Sequence, residues 1–318
     1  MSRLLSASAR TWGLLGSGAV AAGMLALVLA GAYAQEAPTR PIINSAPGKV
    51  EFGKALVIRG RLRNGSAGDR LVLQRSMRSG PWTDVRTDAA DRELRVRFRL
   101  ASVWKSARYR LLYSESDAAL APASGEASST SEGVLVSVKP KLTVQVRPAR
   151  VMTGHGVRVK GVLRSHNSGR RVTIKRHTDG GWRRVARPRV KSGSYSARFT
   201  PAKSGRSRIK VVFGGDGNNP RAARSRNLVV YEPDLTSWYG PGLYGNRTAC
   251  GQTLGYDTVG VAHRTLPCGT MVGILYRGRS ITVPVIDRGP YGSAEWDLTR
   301  AAAARLKFSG HGTVGTVY

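Results

Sequence analysis

Residues 56–63 read LVIRGRLR, and this stretch decides the fold class. Apolar residues or glycine stand at positions 56, 58, 60 and 62, whereas arginine stands at 59, 61 and 63. Because successive side chains of a strand point to opposite sides, this alternation predicts a half-buried antiparallel strand with a core side and a cationic solvent side. Similar short runs recur between turn signals such as Asn64-Gly65 and Asp179-Gly180-Gly181. We therefore expect an all-β protein.

The same strand pattern occurs again 101 residues later, where residues 157–164 read VRVKGVLR. A repeat of about 100 residues indicates a copied domain rather than a solenoid unit. About seven short strands in each copy are typical of an immunoglobulin-like sandwich, and the two copies resemble bacterial immunoglobulin-like repeats. We assign the sandwiches to 35–139 and 140–231. We expect Trp82 and Trp182, which occupy nearly matching places, to fill the core of each copy rather than to form a ligand platform.

The charge of the chain is strongly positive and unevenly distributed. Lys and Arg number 51 against 19 Asp and Glu, for a net charge of +32. From Thr236 onward the chain holds eight basic and four acidic residues, so that +28 lies upstream. A field of this sign favours an anionic polymer as partner, although a merely solubilising basic surface is the alternative interpretation.

The N-terminus has the features of a secretory signal peptide at 1–34. Arg3 and Arg10 precede an apolar run from Gly18 to Gly31, and Ala32-Tyr33-Ala34 offers a cleavage site. An uncleaved membrane anchor is the alternative, but the apolar run is short for a span of about 20 residues. We expect a secreted or wall-bound protein without a membrane span after cleavage. Export excludes nucleic acid as the natural partner and leaves peptidoglycan carboxylates and anionic wall polymers.

The chain has only two cysteines, Cys250 and Cys268, which lie 18 positions apart. In an exported protein this pair predicts one disulfide. A closed loop of that size stabilises a fold by about 3 kcal/mol in the chain-entropy description. Without nearby His or Asp ligands the pair makes a poor zinc site. We expect no metal and no cofactor.

The last part of the chain, 236–318, combines short strands with four compact motifs. The motifs are S-W-Y-G-P (237–241), A-H-R-T-L-P-C-G-T (262–270), V-I-D-R-G-P-Y (285–291) and D-L-T-R-A-A-A (297–303). Two strand-like runs, Thr270–Tyr276 and Ser280–Ile286, flank a tight turn. A short alanine-rich helix follows, and either Asp297 or Thr299 can cap it. These features predict a small β-barrel with one short helix.

In order and spacing the four motifs resemble the rare lipoprotein A family, whose members have a double-psi β-barrel domain. The cysteine pair resembles the form found in exported proteins of Gram-positive actinobacteria. The resemblance implies a lytic transglycosylase that cleaves the bond between N-acetylmuramic acid and N-acetylglucosamine in peptidoglycan and leaves anhydro-muramic ends. The same barrel also resembles expansins, so a non-catalytic glycan-binding or wall-loosening protein is the alternative.

The reaction needs one well-placed carboxyl group, because the same group can protonate the leaving oxygen and then accept a proton from the sugar's own hydroxyl. Asp287 is the first candidate, since the resemblance puts the family's acid there; a turn aspartate is the alternative. Asp297 matches a second acidic position, and a helix cap is its alternative role. His263 matches the family's histidine, which could bond Asp287, line the groove or be purely structural.

Four further residues are candidates for sugar binding: Trp238, Tyr239, Arg288 and Tyr291. Three of them have aromatic rings, which stack on sugars. Barrel packing explains Trp238 equally well. The sequence departs from the family at one position.

The family usually has an aspartate eight residues before its histidine, and this chain has Gly255 there. Asp257 lies two residues away and is a possible replacement, or the role is absent, which favours the binding alternative.

Overall fold

Strands dominate the computed structural model of the protein, which describes residues 37–114, 128–166 and 170–318. In these ranges the one helix has seven residues and the other regular elements are strands, which confirms the all-β prediction. Within the same ranges no helix is both long and apolar enough to cross a bilayer. The signal peptide predicted at 1–34 lies outside the described residues.

The first sandwich has nine strands in the described ranges. They are β1 (Arg40–Ser45), β2 (Lys49–Glu51), β3 (Leu56–Arg63), β4 (Arg70–Ser76), β5 (Trp82–Ala89), β6 (Arg95–Leu100), β7 (Ala107–Ser114), β8 (Ser128–Thr130) and β9 (Val134–Lys139). One sheet has the order β1-β3-β6 and the other β2-β9-β7-β4-β5, with β8 on β7. Leu56, Ile58 and Phe98 are fully buried between the sheets, while the arginines of β3 and β6 are exposed.

The second sandwich repeats this arrangement. Its strands are β10 (Lys141–Leu142), β11 (Gln145–Arg147), β12 (Arg150–Met152), β13 (Val157–Arg164), β14 (Thr173–Thr178), β15 (Gly181–Ala186), β16 (Ser194–Phe199), β17 (Gly205–Phe213) and β18 (Ala222–Tyr239). β13 pairs with β10, β11 and β16 in one sheet, and the other sheet contains β15-β14-β17-β18 with β12 parallel to β18. The parallel pair β2 and β9 occupies the equivalent place in the first copy. The predicted immunoglobulin-like repeat is confirmed.

The tryptophan of each copy lies at the surface, so the expectation that it fills the core is wrong. Trp82 and Trp182 are half-buried and belong to neither core cluster. Each stands on an edge strand that pairs with one neighbour only, which leaves one ring face open to a cation. The guanidinium carbon of Arg110 lies 4.3 Å from the Trp82 ring centroid, and the Lys210 ammonium lies 4.1 Å from that of Trp182.

The C-terminal domain is a closed barrel. Its further elements are β19 (Val261–His263), β20 (Met271–Tyr276), β21 (Arg279–Asp287), β22 (Trp296–Thr299), α1 (Arg300–Leu306) and β23 (Gly312–Val317). The strands pair in the ring β18-β22-β19-β21-β20-β23, and β23 returns to β18. Thr299 caps the helix by accepting the Ala302 N–H at 3.3 Å, which leaves Asp297 free of the capping role. The barrel with one short helix is as predicted.

A single strand passes from the second sandwich into the barrel. Along β18, residues 222–230 pair with β17, residues 232–236 pair with β23, and residues 236–239 pair with β22. Tyr231 stands where the pairing changes and is buried against Leu275 and Val317. Gly315 packs so closely there that an added Cβ would lie 2.7 Å from the Tyr231 Cβ. The junction is therefore a packed strand, and residues Thr39–Tyr318 form one compact unit.

Candidate active site

Asp287 ends strand β21, and one of its carboxylate oxygens is fixed by the backbone. Oδ1 accepts the N–H of Ala249 at 2.8 Å and that of Arg288 at 2.8 Å. Within the described ranges no hydrogen bond is made by Oδ2. Two amide donors on one oxygen orient the carboxyl group and leave the other oxygen for a ligand.

The disulfide fixes the loop that supplies one of these donors. Cys250 follows Ala249 directly and is bonded to Cys268, with 5.7 Å between the two Cα atoms. This spacing is typical of disulfides, and the predicted bridge is confirmed. The bridge therefore ties the loop over Asp287 to the loop that follows His263.

Asp297 stands on the same side of the sheet as Asp287. Ala262 pairs with Asp287 on one neighbouring strand and with Asp297 on the other, and paired residues share a side. Ser237 Oγ donates to Asp297 Oδ1 at 2.9 Å. Burial raises the pKa of Asp297, and the charge of Asp287 raises it further, against the opposing effects of the Ser237 hydrogen bond and His311. The Asp297 carboxyl is therefore more easily protonated than that of an ordinary aspartate.

Two buried hydroxyls, those of Tyr239 and Thr248, have no close hydrogen-bond partner within the described residues. Burial raises the pKa of Tyr239, and the charges of Asp287 and Asp297, together with a side-chain interaction with Asp287, raise it further. The phenol therefore stays protonated and lies near the carboxyl pair. Because buried polar groups normally have partners, we expect a water molecule or a polar ligand at these hydroxyls.

His263 faces away from this pair. Its Nδ1 accepts the N–H groups of Thr265 and Leu266 at 3.2 and 3.0 Å, and its Nε2 lies 3.3 Å from Glu295 Oε1. The ring is thus bonded to Glu295 and not to Asp287. Successive residues of a strand face opposite sides, so Ala262 faces the carboxyl pair and His263 faces away from it. Burial lowers the pKa of His263 more than Glu295 raises it, so the ring is neutral near pH 7.

Glu295 and Arg264 are the site residues that the sequence analysis missed. The Arg264 guanidinium donates to the carbonyl oxygens of Pro290, Gly292 and Ala294 at 2.7–2.8 Å and reaches Glu295 Oε2 at 3.4 Å. Arg264 therefore fixes the loop between β21 and β22. A single Arg next to the motif histidine carries no sequence signal for this contact.

The sugar-binding candidates are dispersed. Trp238 is half-buried against the barrel core, so the structure favours packing for this residue. Tyr291 is 84% exposed, which leaves its ring open to solvent. Arg288 reaches the His263 carbonyl at 3.4 Å and Cys268 Sγ at 3.5 Å, so its described contacts brace two loops. Its assignment to substrate stays a prediction.

The loop that contains Gly255 does not reach the carboxyl pair in any described contact. Gly255 N–H donates to Thr258 Oγ1 at 2.9 Å, which closes a turn, and Asp257 is exposed there. Asp257 makes no hydrogen bond within the described ranges. In those ranges, also, no group of three or more His, Cys, Asp or Glu side chains is arranged to hold a metal ion.

Comparison with known proteins finds relatives of the barrel. A family model described as "Lytic transglycolase" matches residues 235–318. A Synechocystis protein named probable endolytic peptidoglycan transglycosylase RlpA is 43% identical over 86 residues, which is 26% of this chain and 26% of that protein. The endolytic peptidoglycan transglycosylases RlpA of Campylobacter jejuni and Pseudomonas aeruginosa are 38% and 44% identical over 82 residues each, covering 25% and 24% of this chain and 30% and 24% of theirs.

The match thus spans roughly a quarter to a third of the length of these relatives. Among solved structures, a tetra-tandem repeat from the extending region of a large adhesion protein overlaps 81% of this chain and 64% of its own, with 13% identity. Its TM-score of 0.33 is below the level of a shared fold. The family model and the named relatives match the same part of the chain, which contains the closed C-terminal ring of strands. Residues 235–318 are therefore similar to the lytic transglycolase family over the whole of the barrel.

Proposed function

We propose that this protein is a peptidoglycan lytic transglycosylase that cleaves the bond between N-acetylmuramic acid and N-acetylglucosamine. The observation that carries the proposal is the pair Asp287 and Asp297 on one side of the barrel, beside the buried hydroxyl of Tyr239. The names of the relatives, which match over this same domain, support it.

The reaction places a definite demand on the site. A carboxyl group protonates the glycosidic oxygen, and the bond from that oxygen to C1 of the muramic residue breaks. The resulting carboxylate then accepts the proton of the C6 hydroxyl. At the same time the oxygen of that hydroxyl bonds to C1, which gives the 1,6-anhydro ring. The proton returns to the carboxyl group and no water is consumed. One oriented carboxyl with a free oxygen therefore suffices, unlike the two carboxylates of hydrolytic glycosidases.

In this proposal Asp287 is the reacting group, because its Oδ1 is held by two amides and its Oδ2 makes no hydrogen bond in the described ranges. Asp297 keeps a proton more readily than an ordinary aspartate, because burial raises its pKa, and this limits the negative charge of the pair. Tyr239 remains a hydrogen-bond donor and orients either the carboxyl or a sugar hydroxyl.

His263 acts as a positioning residue. Its ring anchors Glu295, and its carbonyl oxygen lies 3.4 Å from the Arg288 side chain, next to Asp287. The ring thus holds the loop between β21 and β22 at Glu295, while the backbone carbonyl of the same residue holds it at Arg288. We expect its loss to misplace Asp287 rather than to remove a reacting group.

The two sandwiches supply the second part of the proposed function, which is attachment to anionic wall polymers. In the first copy, cross-strand pairs bring Arg59 next to Arg97 and Arg61 next to Arg95 on the exposed side of one sheet. In the second copy Arg158 lies next to Arg198 on the equivalent sheet. Like charges opposite each other destabilise a sheet slightly, so an anionic partner that neutralises them would bind with salt-sensitive affinity.

The polymer substrate and the cationic faces together support a location in the cell envelope, outside the membrane. The relatives are named for action on peptidoglycan, a polymer of that compartment. A disulfide, such as the bridge in the barrel, persists in an oxidising compartment. We propose secretion to the wall.

The decisive experiment is a digest of purified peptidoglycan by the chain from Gln35 onward, with products identified by mass spectrometry. We expect anhydro-muropeptides from the wild-type protein and at least a hundredfold fewer from Asp287→Asn, because positioned acid–base groups contribute about 10²–10⁴-fold. Asp297→Asn serves as the matched variant and should keep a measurable rate.

Products with hydrated reducing ends would contradict the lytic mechanism. Tight wall binding without soluble product, in both wild type and Asp287→Asn, would favour the expansin-like alternative. Loss of activity in Asp297→Asn but not in Asp287→Asn would exchange the two roles.

A further inference from the structure

A cleft between the second sandwich and the barrel is separate from the carboxyl pair. Its volume is about 670 Å³, within the range of small-molecule sites. The sandwich contributes Arg176, Lys203 and Arg206, whereas the barrel contributes His263, Glu295 and Trp296. His263 and Trp296 pair on the side of β19 and β22 opposite Asp287, and Glu295 stands directly before β22.

The cationic wall of the cleft holds an unneutralised buried charge. Arg176 is 8% exposed, and its Nε and Nη2 donate to Ser207 Oγ at 3.2 Å and to the Lys203 carbonyl at 2.9 Å. Both acceptors are neutral, and no carboxylate of the described residues lies within ion-pairing distance of Arg176. Its Nη1 makes no hydrogen bond there either. The guanidinium thus has no counterion among the described residues, and its Nη1 is not buried. An anionic ligand in the cleft would supply a counterion.

Four carboxylates also line the cleft, those of Asp179, Glu232, Asp234 and Glu295, and the last three accept hydrogen bonds from described residues. Asp234 Oδ2 accepts from the indole N–H of Trp296 at 3.2 Å and from the Thr316 hydroxyl. Glu295 is bonded to His263 and Arg264. Carboxylates fixed in this way are acceptors suited to the hydroxyl and amide protons of a sugar.

An aromatic surface completes this wall. Tyr318 is 69% exposed and lies with its ring centroid 5.8 Å from that of Trp296. Rings of this kind offer an apolar face to a sugar ring. The cleft thus combines a cation for an acidic substituent with acceptors and an aromatic face for a sugar.

The two walls are held at a fixed distance by the fold. Strand β18 runs through both domains, and Tyr231 packs against Leu275 and Val317 at the junction. A site between two domains that share a strand is preorganised, which lowers the entropic cost of binding.

We propose that the second sandwich and the barrel together form a binding site for a sugar that carries a carboxylate, with Arg176 as its counterion and Lys203 and Arg206 beside it. The choice of N-acetylmuramic acid as that sugar rests on the proposed function. Its lactyl ether bears a carboxylate that N-acetylglucosamine lacks. The second sandwich is then part of substrate recognition and not only an attachment domain.

The test is an NMR titration of the chain from Gln35 onward with N-acetylmuramic acid and with its lactyl amide, a neutral ligand of the same shape. Charge-assisted hydrogen bonds predict at least tenfold tighter binding of the carboxylate form. Arg176→Gln should abolish this preference, and the exposed Lys203→Gln and Arg206→Gln should each reduce it. Arg187→Gln, an exposed cation of the second sandwich that does not line the cleft, is the matched control and should leave the preference unchanged.

Equal affinity for the acid and the amide, or no binding of either, would overturn the assignment. An undiminished preference for the carboxylate form in Arg176→Gln would also overturn the assignment. If that variant does not fold, the same result in the double variant of Lys203 and Arg206 would do so. A carboxylate preference in a protein that releases no anhydro-muropeptides would support the cleft while contradicting the proposed function. Activity on peptidoglycan without any such preference would do the reverse.

Discussion

Removal of the Cys250–Cys268 bridge tests whether the disulfide serves the active site as well as the stability of the barrel. The bridge closes a loop with a sequence separation of 18 residues. In the chain-entropy description a loop of this length contributes about 3 kcal/mol to the free energy of unfolding. We expect the Cys250→Ser/Cys268→Ser variant to lose about this amount, and the loss should be confined to the barrel and its junction.

The same change loosens the N–H of Ala249, which lies 2.8 Å from Asp287 Oδ1. A hydrogen bond to a charged group contributes about 1.5–3 kcal/mol. Since about 1.4 kcal/mol corresponds to a factor of ten in rate, we expect the formation of anhydro-muropeptides to fall by one to two orders of magnitude. This loss should appear well below the unfolding temperature, where the barrel is still folded.

Two measurements separate the effects. Urea unfolding gives the stability difference, and hydrogen-exchange mass spectrometry of a peptide that contains Ala249 reports on the loop. Reductant added to the wild-type protein should reproduce both changes, whereas reductant added to the double serine variant should have no effect. Unchanged exchange around Ala249 together with full activity would refute the link between the bridge and Asp287.

Three further predictions concern stability and its pH dependence. Burial is the main cause of the raised folded-state pKa of Asp297, so ionisation of this carboxyl opposes folding as pH rises above the unfolded value near 3.8. Asp297→Asn should therefore raise the urea midpoint of unfolding at pH 7. Near pH 3 the variant and the wild type should unfold at the same urea concentration. The pKa of His263 is lowered mainly by burial, so stability should fall as pH drops below about 6.5, and His263→Gln should weaken that dependence whereas the exposed His155→Gln should not. Gly315→Ala should cost about 1–3 kcal/mol by overpacking against Tyr231, whereas Gly312→Ala, whose Cβ would find its nearest neighbour at 3.9 Å, should fold as the wild type; equal unfolding midpoints would contradict the packed junction.

The sandwiches could be predicted because strand alternation is a local property of the sequence. Leu56 and Ile58 are separated by one residue, and this spacing alone puts both in the core. The role of Trp82 could not be predicted in this way. Whether an aromatic residue of a strand is buried depends on which strands lie beside it, and β5 has a neighbour on one side only.

The candidate site was predictable where its residues belong to ordered motifs, as Asp287 and His263 do. Their relation was not. The two lie on adjacent strands, and the bulge between Val261 and Ala262 in the pairing of β19 with β21 decides which side each takes. The partner of His263, Glu295, is 32 positions away in a loop whose course depends on the backbone contacts of Arg264.

The uninterrupted strand β18 was also beyond sequence reasoning, because Pro233 is a typical linker residue. The proline is tolerated since β17 pairs only up to residue 230 and β22 only from Thr236, which leaves one side of the strand without a ladder at that point. The chain therefore crosses between two domains without leaving the extended conformation.

This shared strand has a mechanical consequence. If the sandwiches bind wall polymer and the barrel binds glycan, as proposed, a load applied between the two would pass directly along β18. The nine residue pairs between β17 and β18 would bear such a load in shear, with their hydrogen bonds stretched together rather than opened one at a time. The barrel would then transmit tension to its substrate, because no flexible linker separates it from the sandwich. A glycan strand held in the cleft would be under the same tension as the wall around it.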